Sequence, residues 1–231
     1  MKFQLSGSTA FQLAEIYLKQ GEVVQIESGS MIYHNGNVKL EGKTNSSSGG
    51  LGGLLKAAAR SVVSGESMFI THVTGLTNDG MVAIAPSAPG VIKELVVGAE
   101  QYRINDKSFF ACDSTVTYEI KKQSLGKAIF GGAGGLFVME TTGSGTMLVN
   151  SYGDIIEIDL DGSKPFVVDN YHVVAWTSTL NYEIKVASGT FGFTSGEGLV
   201  NEFNGRGKIL IQTRNMESLA KMLKPFLPSG S

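Results

Sequence analysis

Short stretches in which apolar and polar residues alternate recur along nearly the whole chain, and glycine, asparagine and aspartate separate them. Alternation with a period of two is typical of a β-strand that buries one face. The turn signals include Asn35-Gly36, Asp161-Gly162, Asn204-Gly205 and the triplet that ends at Gly80, because these residues tolerate a positive φ. The pattern therefore predicts an all-β chain. The thirteen predicted strands are 22–26, 38–41, 68–74, 81–85, 91–97, 108–112, 115–120, 136–142, 146–150, 155–159, 173–176, 182–186 and 209–213.

Two stretches depart from this alternation and predict short helices. Residues 46–63 begin as a polar, glycine-rich loop and continue as a short apolar helix. Near the C-terminus, Asn215 is placed to cap a helix whose apolar residues share one face, and Pro225 ends it because proline cannot donate a hydrogen bond. We expect Phe226 and Leu227 to dock this helix on the sheets.

The chain also repeats itself, which favours a modular architecture. Residues 102–121 match residues 166–185 with seven identities in twenty aligned positions. Upstream, residues 66–75 match residues 134–143. A third, fainter copy is split between the chain ends, with 21–33 parallel to 106–118 and its other half at 195–200 and 205–212. We therefore expect one domain, 1–231, built of three pseudo-repeated modules, in which the first and last strands complete one module together.

Composition narrows the functional classes. Glycine is 30 of 231 residues and proline only five, an excess that indicates turns and bulges. Charged residues are 17% and the net charge is −2, so no basic field drives nonspecific nucleic-acid binding. The single cysteine, Cys112, excludes an intrachain disulfide and suits a reducing compartment. With no signal-peptide pattern and no apolar run of spanning length, we expect a soluble cytoplasmic protein.

Candidate chemical groups have plain structural interpretations. The glycine-rich stretches lack the spacing of a phosphate-binding loop. The repeated Ser-Gly-Glu motif places Glu66 and Glu197 at equivalent positions, either as a turn before a strand or as paired carboxylates, and only their distance decides between the two. Cys112 aligns with Trp176, which indicates a core position filled to suit local volume.

The three histidines, His34, His72 and His172, show no metal-site spacing and are expected as solvated strand residues. We therefore expect no catalytic residue, no cofactor and no metal, and hence not an enzyme. A basic rim with Tyr118 or Tyr182 as stacking surface is the basis of an RNA-binding alternative. That rim consists of Lys121, Lys122, Lys127, Lys185, Arg206, Lys208 and Arg214.

Several motifs resemble one known family. They are the segments 18–22, 29–31, 64–69, 195–198 and 205–214, with the C-terminal helix and proline of 219–228. Together they resemble the mitochondrial biogenesis family named for altered inheritance of mitochondria. The resemblance implies a duplicated fold similar to the tryptophan RNA-binding attenuation protein, a double-stranded β-helix or β-sandwich with short helices. Its eukaryotic members are linked to organisation of the mitochondrial inner membrane, and no catalytic residues can be carried over.

We therefore expect a non-enzymatic homo-oligomeric scaffold or interaction protein that works near a membrane surface. A trimer is favoured because ring-forming relatives of the fold close cyclically. The predicted contact with a protein or membrane partner is Leu51, Leu54, Leu55, Lys56 and Arg60. The alternative is an RNA- or small-ligand-binding module.

Overall fold

The computed structural model describes residues 1–44, 69–122, 137–187 and 198–227. Most residues of these ranges lie in antiparallel strands, which confirms the all-β prediction. The nineteen strands of the described ranges are β1 (Lys2–Ser6), β2 (Leu13–Leu18), β3 (Val23–Glu27), β4 (Met31–His34), β5 (Val38–Thr44), β6 (Phe69–Gly75), β7 (Gly80–Ile84), β8 (Ile92–Val97), β9 (Tyr102–Asn105), β10 (Phe109–Asp113), β11 (Val116–Lys122), β12 (Phe137–Gly143), β13 (Gly145–Asn150), β14 (Ile155–Asp161), β15 (Phe166–Asp169), β16 (Val173–Thr177), β17 (Asn181–Val186), β18 (Leu199–Asn204) and β19 (Arg206–Gln212).

Helical structure is short. One α-helix, α1 (Met216–Leu223), follows the last strand and continues into a 3-10 turn at Lys224–Phe226. Two further 3-10 turns, Asp106–Ser108 and Asn170–His172, connect β9 to β10 and β15 to β16. The predicted C-terminal helix is therefore present, and the helix predicted within 46–63 lies outside the described residues.

The strands form four sheets, which we number I to IV. Sheet I has the order β1-β2-β7-β4, and sheet IV has the order β15-β18-β17. The two central sheets have six strands each: β5-β6-β3-β10-β13-β8 in sheet II and β11-β12-β9-β16-β19-β14 in sheet III. Sheets I and IV are the smaller sheets, with four and three strands.

The order of pairing recurs every six strands. Within β2–β7 the pairs are β2·β7, β7·β4, β6·β3 and β5·β6, and the same four relations hold within β8–β13 and β14–β19. We interpret each set of six as one module. The prediction that the first and last strands complete one module together is wrong: β3 and β4 hold the positions of β9 and β10, and β18 and β19 hold those of β12 and β13, because the modules follow one another along the chain. That the chain is one domain stays a prediction.

Three hydrophobic layers hold the sheets together. Ile16 of sheet I packs with Phe110 and Leu148 of sheet II in the first layer. Met147 of sheet II packs with Ile104 of sheet III in the second layer. The third layer lies between sheets III and IV and contains Trp176, Phe203, Val173, Leu180 and Ile209. Because sheets II and III have a layer on each face, their central strands are buried on both sides, as all five residues of β16 show.

Three of the four predicted turns have the expected backbone. Gly36, Gly162 and Gly205 have φ values of 87°, 79° and 106°. Gly80 instead opens β7 and is not among the glycines with positive φ. A Cβ there would lie 3.0 Å from the carbonyl oxygen of Asn37, so close backbone approach, not turn geometry, favours glycine at this position.

Candidate functional site

The residues predicted to contact a partner lie outside the described part of the chain. This holds for Leu51, Leu54, Leu55, Lys56 and Arg60, and also for Glu66 and Glu197. The partner contact and the carboxylate pair therefore stay predictions. Among the described residues, the surface that stands out is the C-terminal helix and the strand ends beneath it.

Helix α1 is attached through its first turn by polar contacts. The Asn215 side chain caps the helix by accepting from Ser218 N at 2.8 Å, as predicted. Its amide nitrogen lies 2.7 Å from His172 Nε2, and His172 Nδ1 lies 2.6 Å from the Gln212 carbonyl oxygen. If the Asn215 amide donates to Nε2, Nδ1 carries the proton and donates to Gln212, so one neutral tautomer satisfies both contacts.

A second polar contact fixes the same turn of the helix. The Tyr171 hydroxyl donates to the Glu217 carboxylate, and this hydrogen bond, with partial burial, raises the pKa of Tyr171 to about 12. Both anchoring residues, Tyr171 and His172, come from the 3-10 turn between β15 and β16. The helix is therefore held by one turn of the third module.

The outer face of α1 and the residues after it are apolar and exposed. No residue of α1 is buried. Phe226 is 82% exposed and Leu227 is 64% exposed, so the prediction that these two residues dock the helix is wrong. The physical reason is that the anchoring polar contacts, to Asn215 and Glu217, lie at the start of the helix, so the residues that follow its last turn stay exposed to solvent. We call Met222, Leu223, Phe226 and Leu227 the C-terminal apolar patch.

A cavity of about 350 Å³ lies between α1 and the strand ends beneath it. Its lining combines apolar side chains of the helix with the imidazole of His172, the Arg214 side chain and the phenol of Tyr152. The volume is within the range of small-molecule sites. Sequence reasoning found the Asn215 cap but not Tyr152 or Tyr171, because these residues reach the helix only through the pairing of β14 with β19 and of β15 with β18.

The histidines differ from the prediction in one case. His34 ends β4, where its Nδ1 accepts from Gly36 N at 3.0 Å, and His72 lies in β6. His172 is in the 3-10 turn, not in a strand, and both its ring nitrogens have partners. Within the described ranges, no three His, Cys, Asp or Glu side chains are grouped as a metal site.

The core interpretation of Cys112 is confirmed. Its side chain is fully buried in the second layer, and that of Trp176 is buried in the third. Burial raises the pKa of the Cys112 thiol to about 12, so the thiolate does not form near neutral pH. Trp176 packs edge-on against Tyr182 at 4.8 Å and Phe203 at 5.5 Å.

The residues of the proposed RNA surface have other partners. Tyr118 packs on Phe109 with ring centroids 5.8 Å apart, and Tyr182 packs on Trp176, so both tyrosine rings contact core residues. Three lysines of the basic rim are in ion pairs with glutamates: Lys121 with Glu140, Lys185 with Glu202, and Lys208 with Glu157. Lys127 lies outside the described residues, as does the side chain of Lys122.

Arg103 joins two modules electrostatically. Its Nε donates to Glu140 at 2.6 Å, and its Nη1 donates to the Leu180 carbonyl oxygen at 2.8 Å. Partial burial opposes ionisation of Glu140, but hydrogen bonds from Lys121 and Arg103 outweigh it and lower the pKa of that carboxyl group. The guanidinium also lies 5.6 Å from the Tyr182 ring centroid. Arg103, Lys121 and Glu140 therefore have a structural role between the second and third modules.

No helix in the described ranges has the length and apolar character needed to cross a bilayer.

Comparison with known proteins identifies the family. The chain is 47% identical over 232 aligned positions to an uncharacterized protein of Streptococcus pyogenes serotype M6, M6_Spy0233, covering 100% of this chain and 93% of that protein. The crystal structure of protein SPYM3_0169 from Streptococcus pyogenes matches with a TM-score of 0.82 at 44% identity, over 98% of this chain and 99% of that one. The family model described as mitochondrial biogenesis AIM24 matches residues 3–214. The chain therefore belongs to the mitochondrial biogenesis AIM24 family.

Proposed function

We propose that this protein is a non-enzymatic, self-associating scaffold that attaches to a membrane surface through its C-terminal apolar patch. The observation that carries the proposal is the exposure of Phe226 and Leu227, just after a helix whose anchoring hydrogen bonds lie in its first turn. Large exposed apolar side chains that lie together mark an interaction surface. A trimer remains the favoured number of copies.

The charges around the patch favour an anionic lipid surface. Lys221 and Lys224 lie on the same helical segment, and Arg214 is exposed just before it. A short amphipathic helix with basic residues beside Phe and Leu is typical of segments that lie in the membrane interface. Lys221 is paired with Glu217 at 2.8 Å, so Lys224 and Arg214 supply the larger part of the attraction to lipid.

Vesicle sedimentation tests the membrane proposal. We expect the protein to sediment with vesicles of phosphatidylcholine and phosphatidylglycerol, less at high salt, because salt screens exposed charges. The double substitution Phe226→Glu and Leu227→Glu should lower the bound fraction roughly tenfold or more, because it removes two apolar side chains from the interface and adds two charges. Val96→Glu is the matched control, since Val96 is equally exposed on β8.

Two results contradict membrane attachment. One is a wild-type protein that stays in the supernatant at low salt with these vesicles. The other is a double variant that sediments as the wild type does. A loss of binding by the Val96→Glu control as well would indicate a general charge effect and not a specific patch.

A second candidate function, small-ligand binding, is favoured by the cavity under α1. Arg214, His172 and Tyr152 line this cavity, and their side chains can bind a small molecule with an anionic or polar group. Native mass spectrometry of protein purified from its own host would then show a discrete retained mass. Leu219→Trp should remove that mass by filling the cavity, whereas Val96→Trp should retain it. A bare wild-type protein contradicts this candidate and leaves the scaffold proposal intact.

The RNA alternative has less support. The tyrosines that were expected to stack on bases contact the core, and three rim lysines are neutralised by glutamates. Single-stranded nucleic-acid sites need free aromatic faces beside a positive groove.

A further inference from the structure

Strands β4 and β15 each have one edge without a paired strand in the described ranges, whereas the equivalent strands of the other modules are paired on that edge. Strand β4 ends sheet I and β15 ends sheet IV, and within the described ranges no strand pairs with their outer sides. In the central sheets, β3 pairs with β10 and β9 pairs with β16. Because β4 holds the position of β10 and β16, and β15 that of β3 and β9, a third junction of this kind is left open at the two ends of the chain.

The register of that junction can be read from the two internal ones. A bulge falls between Met31 and Tyr33 in β4, between Phe109 and Ala111 in β10, and between Val173 and Ala175 in β16. Counting from the bulge, Tyr33 corresponds to Ala175 and His34 to Trp176. On the other side, Asn105 and Asp169 both cap a 3-10 turn, so Val168 corresponds to Ile104 and Val167 to Arg103.

The internal pairs then specify which residues meet. Ala175 lies opposite Ile104 and Trp176 lies opposite Arg103. Tyr33 of one chain is therefore expected opposite Val168 of another, and His34 opposite Val167.

Hydrogen-bond directions agree with this register. Tyr102 N donates to Thr141 Oγ1 on β12, so the N–H of the next residue, Arg103, points to β16, because successive N–H groups alternate. Ser178 N donates to the Gln101 carbonyl oxygen at 2.7 Å, two positions along the same ladder. By equivalence, the N–H of Val167 points to the open edge. Pro165, at the position of Gln101, still offers its carbonyl oxygen there.

Both edges expose large apolar side chains to solvent. Ile32 is 51% exposed, whereas its internal counterpart Phe110 is fully buried. Val167 is 53% exposed. Neither β4 nor β15 contains a lysine or proline, the residues that usually protect an edge strand from pairing with another chain. Pro165, just before β15, removes one N–H from that edge but keeps its carbonyl oxygen there.

A third exposed apolar residue, Ile156, is one that the proposed junction would cover. Ile156 of β14 is 47% exposed and shares its side of sheet III with Leu160, which packs on the third core layer. Sheet IV has three strands, whereas sheet III, which it packs against, has six. Continuing sheet IV with the four strands of a sheet I gives a sheet of seven strands, and we expect the added strands to lie over the region of Ile156.

We infer that β15 of one copy pairs antiparallel with β4 of a second copy, so that sheet IV of the first and sheet I of the second form one continuous sheet. The inference rests on the self-associating scaffold proposed above and names its interface. The contact is head-to-tail, because the two edges belong to different modules. Such contacts generate a closed ring when the rotation per copy closes, and a filament when it does not.

Proline substitutions test the inference. Val167→Pro and His34→Pro each remove one N–H that points to the open edge, and each variant should become monomeric in native mass spectrometry. Val167→Thr keeps the N–H and the branched shape, so it should assemble as the wild type does. A mixture of the two proline variants should form a one-to-one dimer and nothing larger, because each variant retains the edge that the other has lost.

A crosslink provides a second test that does not depend on how the proline variants fold. Opposed residues of an antiparallel hydrogen-bonded pair have Cα atoms about 5.5 Å apart, within disulfide range. His34→Cys mixed with Val167→Cys should give a disulfide-linked dimer under mild oxidation. Val96→Cys in place of Val167→Cys should not. Cys112 is buried and adds no background.

The outcomes separate this inference from the proposed function. A monomeric wild-type protein overturns both the scaffold and the edge pairing. A wild-type oligomer that survives both proline substitutions, without the His34–Val167 crosslink, overturns the edge pairing alone. If only one of the two edges proves necessary, the contact joins identical edges and the head-to-tail arrangement is wrong.

Discussion

The Glu27 carboxyl group is half-buried at the end of β3. Asn150 donates to its Oε2 at 3.3 Å, but burial outweighs this hydrogen bond and raises the pKa of Glu27 to about 7. Burial disfavours the charged form, so the folded protein binds this proton more tightly than the unfolded chain does. The free energy of unfolding therefore contains a contribution that is complete below the unfolded pKa of 4.5 and decreases as pH rises toward 7.

Glu27→Gln should remove this pH dependence. We expect the variant and the wild type to have similar stability near pH 4, and the variant to be more stable by about 1–3 kcal/mol at pH 8, where the wild type carries a buried charge. Urea unfolding at several pH values measures the difference. Glu94→Gln, at an exposed position of β8, is the control. Equal pH profiles for wild type and Glu27→Gln would show that Glu27 is well solvated when folded.

At the scale of elements, α1 depends on its anchors. A helix of eight residues is marginal in isolation, because isolated helices need about 12–15 residues to persist in water. The Asn215 cap, the contact to His172 and the Tyr171–Glu217 hydrogen bond supply what its length does not. The apolar patch is presented outward because all of these anchors lie at the start of the helix.

Comparison of the predicted and observed strands shows how well the local sequence pattern predicts strand positions. All thirteen predicted strands exist, with ends shifted by up to three residues. Six strands were missed: β1, β2, β4, β9, β15 and β18. Strands β9 and β15 have four residues each and run directly into 3-10 turns, so neither is long enough to establish an alternation. Strand β2 does alternate, as its burial pattern shows, so its position can be read from the sequence.

At the scale of the whole molecule, the three modules touch along a row of backbone contacts. Phe11, Gly90 and Gly153 form parallel bridges, and each lies just before the first strand of its module. Gly153 N donates to the Pro89 carbonyl oxygen at 2.8 Å. A Cβ at Gly90 would overlap the Ser151 carbonyl oxygen and lie 3.0 Å from that of Gly153. Glycine at this position therefore sets the spacing between modules.

Gly90→Ala should destabilise the protein by about 1–3 kcal/mol, because the added methyl group pushes backbone against backbone. Gly42→Ala in β5 is the matched control, since a Cβ there meets nothing within 4 Å and should change stability little. Chemical denaturation of both variants measures the difference. Equal stability of Gly90→Ala and wild type would show that the segments before β8 and β14 can move apart without lowering the free energy of unfolding.

The sequence by itself determined the all-β class, most strand positions, the Asn215 cap and the burial of Cys112 and Trp176, because alternation, turn residues and capping are local properties of the chain. It also suggested the family through its motifs. Only the tertiary structure decided how the strands join, and this corrected the split module. It also turned Phe226 and Leu227 to solvent and left β4 and β15 as open edges. These features depend on contacts between residues far apart in the chain, whose partners no local pattern specifies.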